Sequence, residues 1–226
     1  MQFNTTNREL TIKVVYYGPA LSGKTTNIEA LHQVLDPSSR GRLMNLDTKG
    51  DRTLFFDLLP VHFQTRSGFK VKIKLFTVPG QVMHESTRRI VLAGADAVIF
   101  IADAQREQLQ SNNEAFAGLH GDLKANGLDP AETPTVIQFN KLDLPSAISE
   151  EELAEYERGG DEPIFRAVAI RGQGVVETLR GCLDLLWARL NREHDFKRKF
   201  GISKSEFMQG VFNSVSLTAR PPEVQP

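Results

Sequence analysis

The 226-residue sequence predicts an α/β fold, with a central, mostly parallel sheet, one antiparallel edge strand and helices on both faces. Three observations carry that expectation. Strand-like runs alternate with helical periods along the chain, the pattern that crossover connections turn into a parallel sheet. Ala97-Val98-Ile99-Phe100-Ile101-Ala102 is apolar throughout, as in a strand covered on both faces. Val71-Lys72-Ile73-Lys74-Leu75 alternates strictly, which suits a half-exposed antiparallel strand.

In chain order, residues 4–8 are polar and predict a turn or a short extra strand. Residues 12–17 form the first core strand. Ile28, Leu31 and Leu35 then share one helical face. Asp36-Pro37-Ser38-Ser39-Arg40-Gly41 is a loop signal. The stretch through Asp57 has neither period and predicts an irregular functional loop. Residues 58–65 read as a strand, turned by Arg66-Ser67-Gly68 into the alternating one, which stops at Thr77-Val78-Pro79-Gly80-Gln81. A helix over 105–125 buries Phe116, Leu119 and Leu123, and residues 135–139 form the next buried strand. Ser149 and Glu152 make a capping-box signature for a short acidic helix. Residues 163–169 make the last strand, and Val176, Leu179, Leu183, Leu186 and Leu190 line the final long helix.

Composition narrows the function classes. A net charge of −1 and a pI near 6.5 give no global attraction for nucleic-acid phosphates. No apolar run is long enough to span a bilayer, and the N-terminus lacks a signal-peptide core. The single Cys182 excludes an intramolecular disulfide and a cysteine metal cluster, and a reducing cytoplasm is the expected compartment. Neither Gln2 nor the terminal Pro221-Pro222-Glu223-Val224-Gln225-Pro226 offers a lipidation signal, so no lipid anchor is expected.

Two motifs carry chemistry. Gly18-Pro19-Ala20-Leu21-Ser22-Gly23-Lys24-Thr25 matches G-x-x-x-x-G-K-[ST] between a strand and a helix. Its glycines let backbone N–H groups of Ala20, Leu21, Ser22 and Thr26 turn toward phosphate oxygens. Lys24 reaches the β/γ-phosphates, Thr25 ligates Mg²⁺, and the helix dipole faces the same anion. Asn140-Lys141-Leu142-Asp143 matches N-K-x-D after a buried strand. Asp143 can accept the guanine N1–H and exocyclic amine, a donor pair that adenine lacks, while Lys141 covers the base and Asn140 ties the loop to the phosphate region. Together, in this order, the motifs predict a GTP/GDP site with Mg²⁺ on a P-loop NTPase G domain.

By these residues, the chain resembles the Ras-like small GTPase superfamily and, more narrowly, the bacterial MglA group of polarity and gliding-motility regulators. The narrower likeness rests on Val15-Tyr16-Tyr17-Gly18-Pro19, Asp51-Arg52-Thr53-Leu54-Phe55-Phe56-Asp57 and Thr77-Val78-Pro79-Gly80-Gln81. The resemblance implies that Thr53 senses Mg²⁺ or the γ-phosphate as a first-switch threonine. It implies that Gln81, beside Gly80, orients the attacking water and that Arg52 neutralises transition-state charge from within the chain. It further implies a roadblock-fold MglB-like homodimer as activator, effectors still to be named, recruitment to a cell pole through partners, and a second strand that slides between nucleotide states. Arg52 as a solvated loop arginine stays open beside its catalytic role.

Two positions depart from the superfamily pattern. Thr77 stands where an aspartate usually supports Mg²⁺ through water, and Val168-Ala169-Ile170 replaces S-A-K, leaving the Ala169 N–H for the guanine oxygen. These departures keep a second reading alive, a nucleotide-binding scaffold without efficient hydrolysis. A small-molecule kinase fits less well, because N-K-x-D selects guanine. The G domain is expected over residues 1–192. Residues 193–226 form an extension of one or two short helices and a Pro-rich disordered end. In it, Phe196-Lys197-Arg198-Lys199-Phe200 reads as a solvated helix end and Ser203/Glu206 as a second capping box.

Overall fold

The structure, a computed structural model, describes residues 1–47, 55–79 and 85–213. An eight-stranded sheet holds β1 (Gln2–Asn4), β2 (Glu9–Tyr17), β3 (Met44–Asp47), β4 (Phe55–Gln64), β5 (Lys70–Thr77), β6 (Ala97–Asp103), β7 (Thr135–Asn140) and β8 (Ile164–Arg166). Its order is β3-β4-β5-β2-β6-β7-β8, with β1 paired antiparallel to β2. β5, β2, β6, β7 and β8 run parallel, and β4 runs antiparallel to both β5 and β3. The expected fold class is therefore the one found.

β2 is central because its side chains can be buried on both faces. Leu10, Ile12, Val14 and Tyr16 point into one core, and Val15 and Tyr17 into the other. The first core is covered by α1 (Lys24–Val34) and by α5 (Val175–His194), whose Val176, Leu179, Leu183, Leu186 and Leu190 form the expected apolar face. The second is covered by α2 (Glu85–Leu92), α3 (Leu109–Ala125) and α4 (Glu150–Gly159). Each fully buried Leu, Ile or Val contributes about 1.5–3 kcal/mol. Both capping-box bonds form at the start of α4, between Ser149 and Glu152.

Four expectations are corrected. The stretch before Asp57 is not wholly irregular: β3 pairs with the start of β4 as a hairpin arm, with Asn45 opposite Asp57. A two-stranded edge is held by cross-strand pairing, so no strong period in its sequence is required. The strand expected over 163–169 is only β8, because Ala169–Arg171 winds into a 3-10 turn. The Phe196-to-Phe200 segment is solvated on its basic face only. It forms the short helix α6 (Phe196–Phe200), with Phe196 buried in the core and Phe200 packed against it. At α7 (Lys204–Phe212), Ser203 caps the Glu206 N–H, but the Glu206 carboxylate accepts from the Arg66 N–H instead of closing the box (2.6 Å). Phe207, Val211 and Phe212 of α7 join the same core as α5.

Candidate functional site

The phosphate loop lies between the carboxyl end of β2 and the first turn of α1, at the carboxyl end of the parallel strands where ligands bind. Gly18 (φ 145°) lies so close to the Ile101 carbonyl of β6 that a Cβ would overlap it. Gly23 (φ 98°) precedes α1, and a Cβ there would strike the Asn140 amide nitrogen. The second glycine is thus required by a residue of the other motif. Ala20, Leu21 and Thr25 are exposed, Thr26 is half-buried, and Ser22 and Lys24 are buried.

Lys24 bends back over the loop, its Nζ donating to the Gly18 carbonyl (3.1 Å) and the Pro19 carbonyl (2.6 Å). Its pKa is lowered to about 8, chiefly by burial and then by the Arg88 charge, with Asp57 opposing both. Among the described residues the hydrogen bonds of this buried cation go to neutral carbonyls, which leaves it poised for an anion.

Asp57, on β4, is a residue the motifs did not single out. Its Oδ2 accepts from Thr25 Oγ1 (2.7 Å) and from Thr77 Oγ1 (2.9 Å), and its N–H donates to Thr77 Oγ1 (2.8 Å). Three hard oxygens, one of them charged, converge beside the phosphate loop. That donor set fits Mg²⁺, which takes few protein oxygens and fills its other positions with water and phosphate. The carboxylate missing at position 77 has a counterpart on the neighbouring strand. The one sequence signal at this residue is its place at the end of the 51–57 stretch.

On the base side, Asn140 is buried and makes two structural bonds. Its Nδ2 donates to the Ser22 carbonyl (2.8 Å) and its Oδ1 accepts from the Ala169 N–H (2.9 Å). The same strand reaches the loop a second time: Gln138 Nε2 donates to Asn27 Oδ1 (3.0 Å), and Asn27 Nδ2 donates to the Gly23 carbonyl (2.9 Å). Lys141 takes a left-handed backbone (φ 68°), and its Nζ pairs with buried Asp103 (2.6 Å). Asp143 faces Arg171 at 3.3 Å, while the neighbouring Ile170 is 75% exposed. Asp103, Gln138, Asn27 and Arg171 were not legible as site residues, because each acts through a partner distant in sequence.

The structure brings Lys24, Thr25, Thr77, Asn140, Lys141, Asp143 and Ala169 to one end of the sheet. Arg52, Thr53, Gly80 and Gln81 lie outside the described residues. Among the described residues, no helix is long and apolar enough to cross a membrane.

No family model matches the chain. It is 41% identical over 189 residues to the mutual gliding-motility protein MglA of Myxococcus xanthus, covering 84% of this chain and 97% of the relative. A 108-residue stretch is 32% identical to the GTPase Der of Halorhodospira halophila, covering 47% of this chain and 20% of that protein. A 91-residue stretch is 31% identical to the GTPase Obg of Anoxybacillus flavithermus, covering 39% and 21% respectively.

Proposed function

The chain belongs to the MglA group of Ras-like small GTPases, and on that premise we propose that it is a slowly hydrolysing switch governing cell polarity or motility in a bacterium. GTP binding and hydrolysis come with the family. The finer reading is that turnover waits for a roadblock-type MglB-like homodimer, and that the GTP state engages effectors. The protein acts in the cytoplasm and reaches a cell pole through its partners. Residues 1–192 form the G domain and 193–226 an extension of it.

The observation that supports this most is the bridging role of Asn140. One buried side chain joins the phosphate loop at Ser22 to the base loop at Ala169, so the two motifs are parts of one site. Asp143 selects guanine, aided by Arg171, which restrains its carboxylate. Asn140, Lys141 and Ala169 line the base. Backbone N–H groups of the 18–26 loop bind phosphate, and Lys24 gives up the Gly18 and Pro19 carbonyls for the β/γ-oxygens. Thr25 and Thr53, supported by Asp57 and Thr77, would hold Mg²⁺, which when bound neutralises charge on the phosphates. Gln81 positions water for in-line attack, and Arg52 with Lys24 stabilises charge on the transferring phosphoryl group.

Asp57 also supports a switching reading. Leu59 and Val61 of β4 face the core, so only a slide by an even number of residues keeps them there. Such a slide would carry Asp57 away from Thr25 and Thr77. Structures with GDP and with a GTP analogue that show Leu58 opposite Phe76 in both would remove this step.

The second reading, a scaffold without useful hydrolysis, is favoured by Thr77 and by Ile170. Single-turnover GTP hydrolysis with and without a roadblock-type activator separates the two. The switch reading expects a large acceleration that Gln81→Leu abolishes, and equal rates in the variant would refute the role of Gln81.

A further inference from the structure

At the end of the sheet remote from the nucleotide site, three segments distant in sequence are fastened together. They are the β1–β2 turn, the β4–β5 turn and α6. Phe3 packs edge-on against Phe200 (5.0 Å between ring centres) and beside Phe69 (5.9 Å), and Phe69 meets Phe200 at 5.4 Å. The Arg8 guanidinium lies over the Phe69 ring and donates to the Ser67 carbonyl (2.8 Å). Ser67 Oγ donates to the Phe200 carbonyl (2.9 Å).

The consequence follows from helical geometry. Phe196 and Phe200, four residues apart, share the inner face of α6, so Lys197, Arg198 and Lys199 fan over the outer face. All three are exposed, as are Arg8 and Arg66 on the two adjoining turns and Lys70 at the start of β5. Of these, Arg198 is paired with Asp195, and the Glu206 carboxylate lies at the Arg66 N–H, so the cations outnumber these carboxylates six to two. Phe3 stands in the same region with 40% of its surface exposed. In a chain of net charge −1, this is a local concentration of positive charge around an exposed aromatic ring.

The geometry points to a peripheral docking surface for an anionic phospholipid bilayer. Clusters of this size are attracted to anionic headgroups, and an exposed ring favours the headgroup region over water. A bilayer suits the arrangement better than an acidic peptide does. The cations come from separate segments grouped about an aromatic ring, and spread charge matches a plane of headgroups. The phosphate loop lies at the opposite end of β2, whose nine residues place it roughly 30 Å away. Docked by this end, the protein holds its nucleotide site toward the aqueous side, open to partners.

The test is co-sedimentation of the full chain with phosphatidylglycerol-containing vesicles and with pure phosphatidylcholine vesicles, at low and at physiological salt. The expected result is binding to the anionic vesicles alone, weakened by salt. Each removed cation should lower the partition coefficient about fivefold, so Lys197→Gln with Lys199→Gln should lower it about 25-fold. Phe3→Ser should lower it further. Both variants change exposed side chains, and unaltered GDP binding would verify their folding. Equal binding to neutral vesicles would overturn the proposal, and so would undiminished binding of the double lysine variant. Retention on immobilised polyglutamate without any vesicle binding would also overturn it, and would assign the patch to an acidic protein.

Discussion

Raising the pH from 7 to 9 should weaken GDP binding through Lys24. The ligand-free lysine titrates at about 8 instead of its ordinary 10.5, because burial and the Arg88 charge outweigh the opposing Asp57, and among the described residues its hydrogen bonds go to neutral carbonyls. That displacement corresponds to about 3 kcal/mol by which the site disfavours an unpartnered ammonium. A phosphate restores the partner and raises the pKa again. Affinity is then highest below pH 8 and falls as the pH rises through that value, with a slope approaching one decade per unit until the bound-state pKa is reached. Between pH 7 and 9 the loss should be about tenfold. Calorimetry in buffers of different ionisation enthalpy should reveal proton uptake on binding near pH 8.

Two controls isolate the group. Lys24→Arg keeps a permanent charge and should bind with a flat profile over this range, whatever its absolute affinity. Any titration of the base itself persists in that variant and can be subtracted. Stability of the ligand-free protein should move the opposite way. The unfolded lysine keeps its proton to higher pH than the folded one, so this contribution to stability rises between about pH 8 and the ordinary lysine value. Proton uptake absent at pH 8, or a slope equally present in Lys24→Arg, would refute the reasoning.

Other consequences can be measured alongside. Gly23→Ala puts a methyl group on the Asn140 amide at a φ of 98°. Losing the two Asn140 bonds at about 1–3 kcal/mol each should weaken GDP binding by two or more orders of magnitude, read by fluorescent-nucleotide titration. Asp57→Asn removes the only charge among the three converging oxygens, and should raise the Mg²⁺ concentration needed to retard GDP release by about tenfold while leaving guanine selectivity intact. Phe207→Ala should destabilise the fold by about 3–5 kcal/mol in urea unfolding, because the ring is fully buried and packs edge-on against Phe63. A cost below 1 kcal/mol would mean that α7 is only loosely attached.

Much of this was legible along the chain, for definite reasons. β6 announces itself because a strand covered on both faces must be apolar at every position. The capping box of α4 is a bond between residues three apart, and α5 shows a helical stripe because one element makes one face. β3 was missed because its stability comes from pairing with residues 55–58, which local periodicity does not record. Glu206 was misjudged for the same reason: a carboxylate suited to its own helix start found the Arg66 N–H, 140 positions earlier in the chain. The aromatic residues of the 196–200 segment read as exposed because their partners Phe3 and Phe69 lie on other strands and turns.

The sequence by itself determined the fold class and both nucleotide motifs, since each is a local pattern of residue types whose spacing is dictated by phosphate or guanine. It also established the departures at Thr77 and Ile170. Tertiary structure alone decided which residues stand beside them and what ties the two motifs together. Asp57 joins Thr25 and Thr77 only because β4 runs antiparallel beside β5, and Arg171 meets Asp143 only where the loops after β7 and β8 converge. Asn140 makes Gly23 obligatory across more than a hundred residues. Hydrogen bonds and ion pairs depend on distances in space, and those are settled only when the sheet has brought its carboxyl ends together.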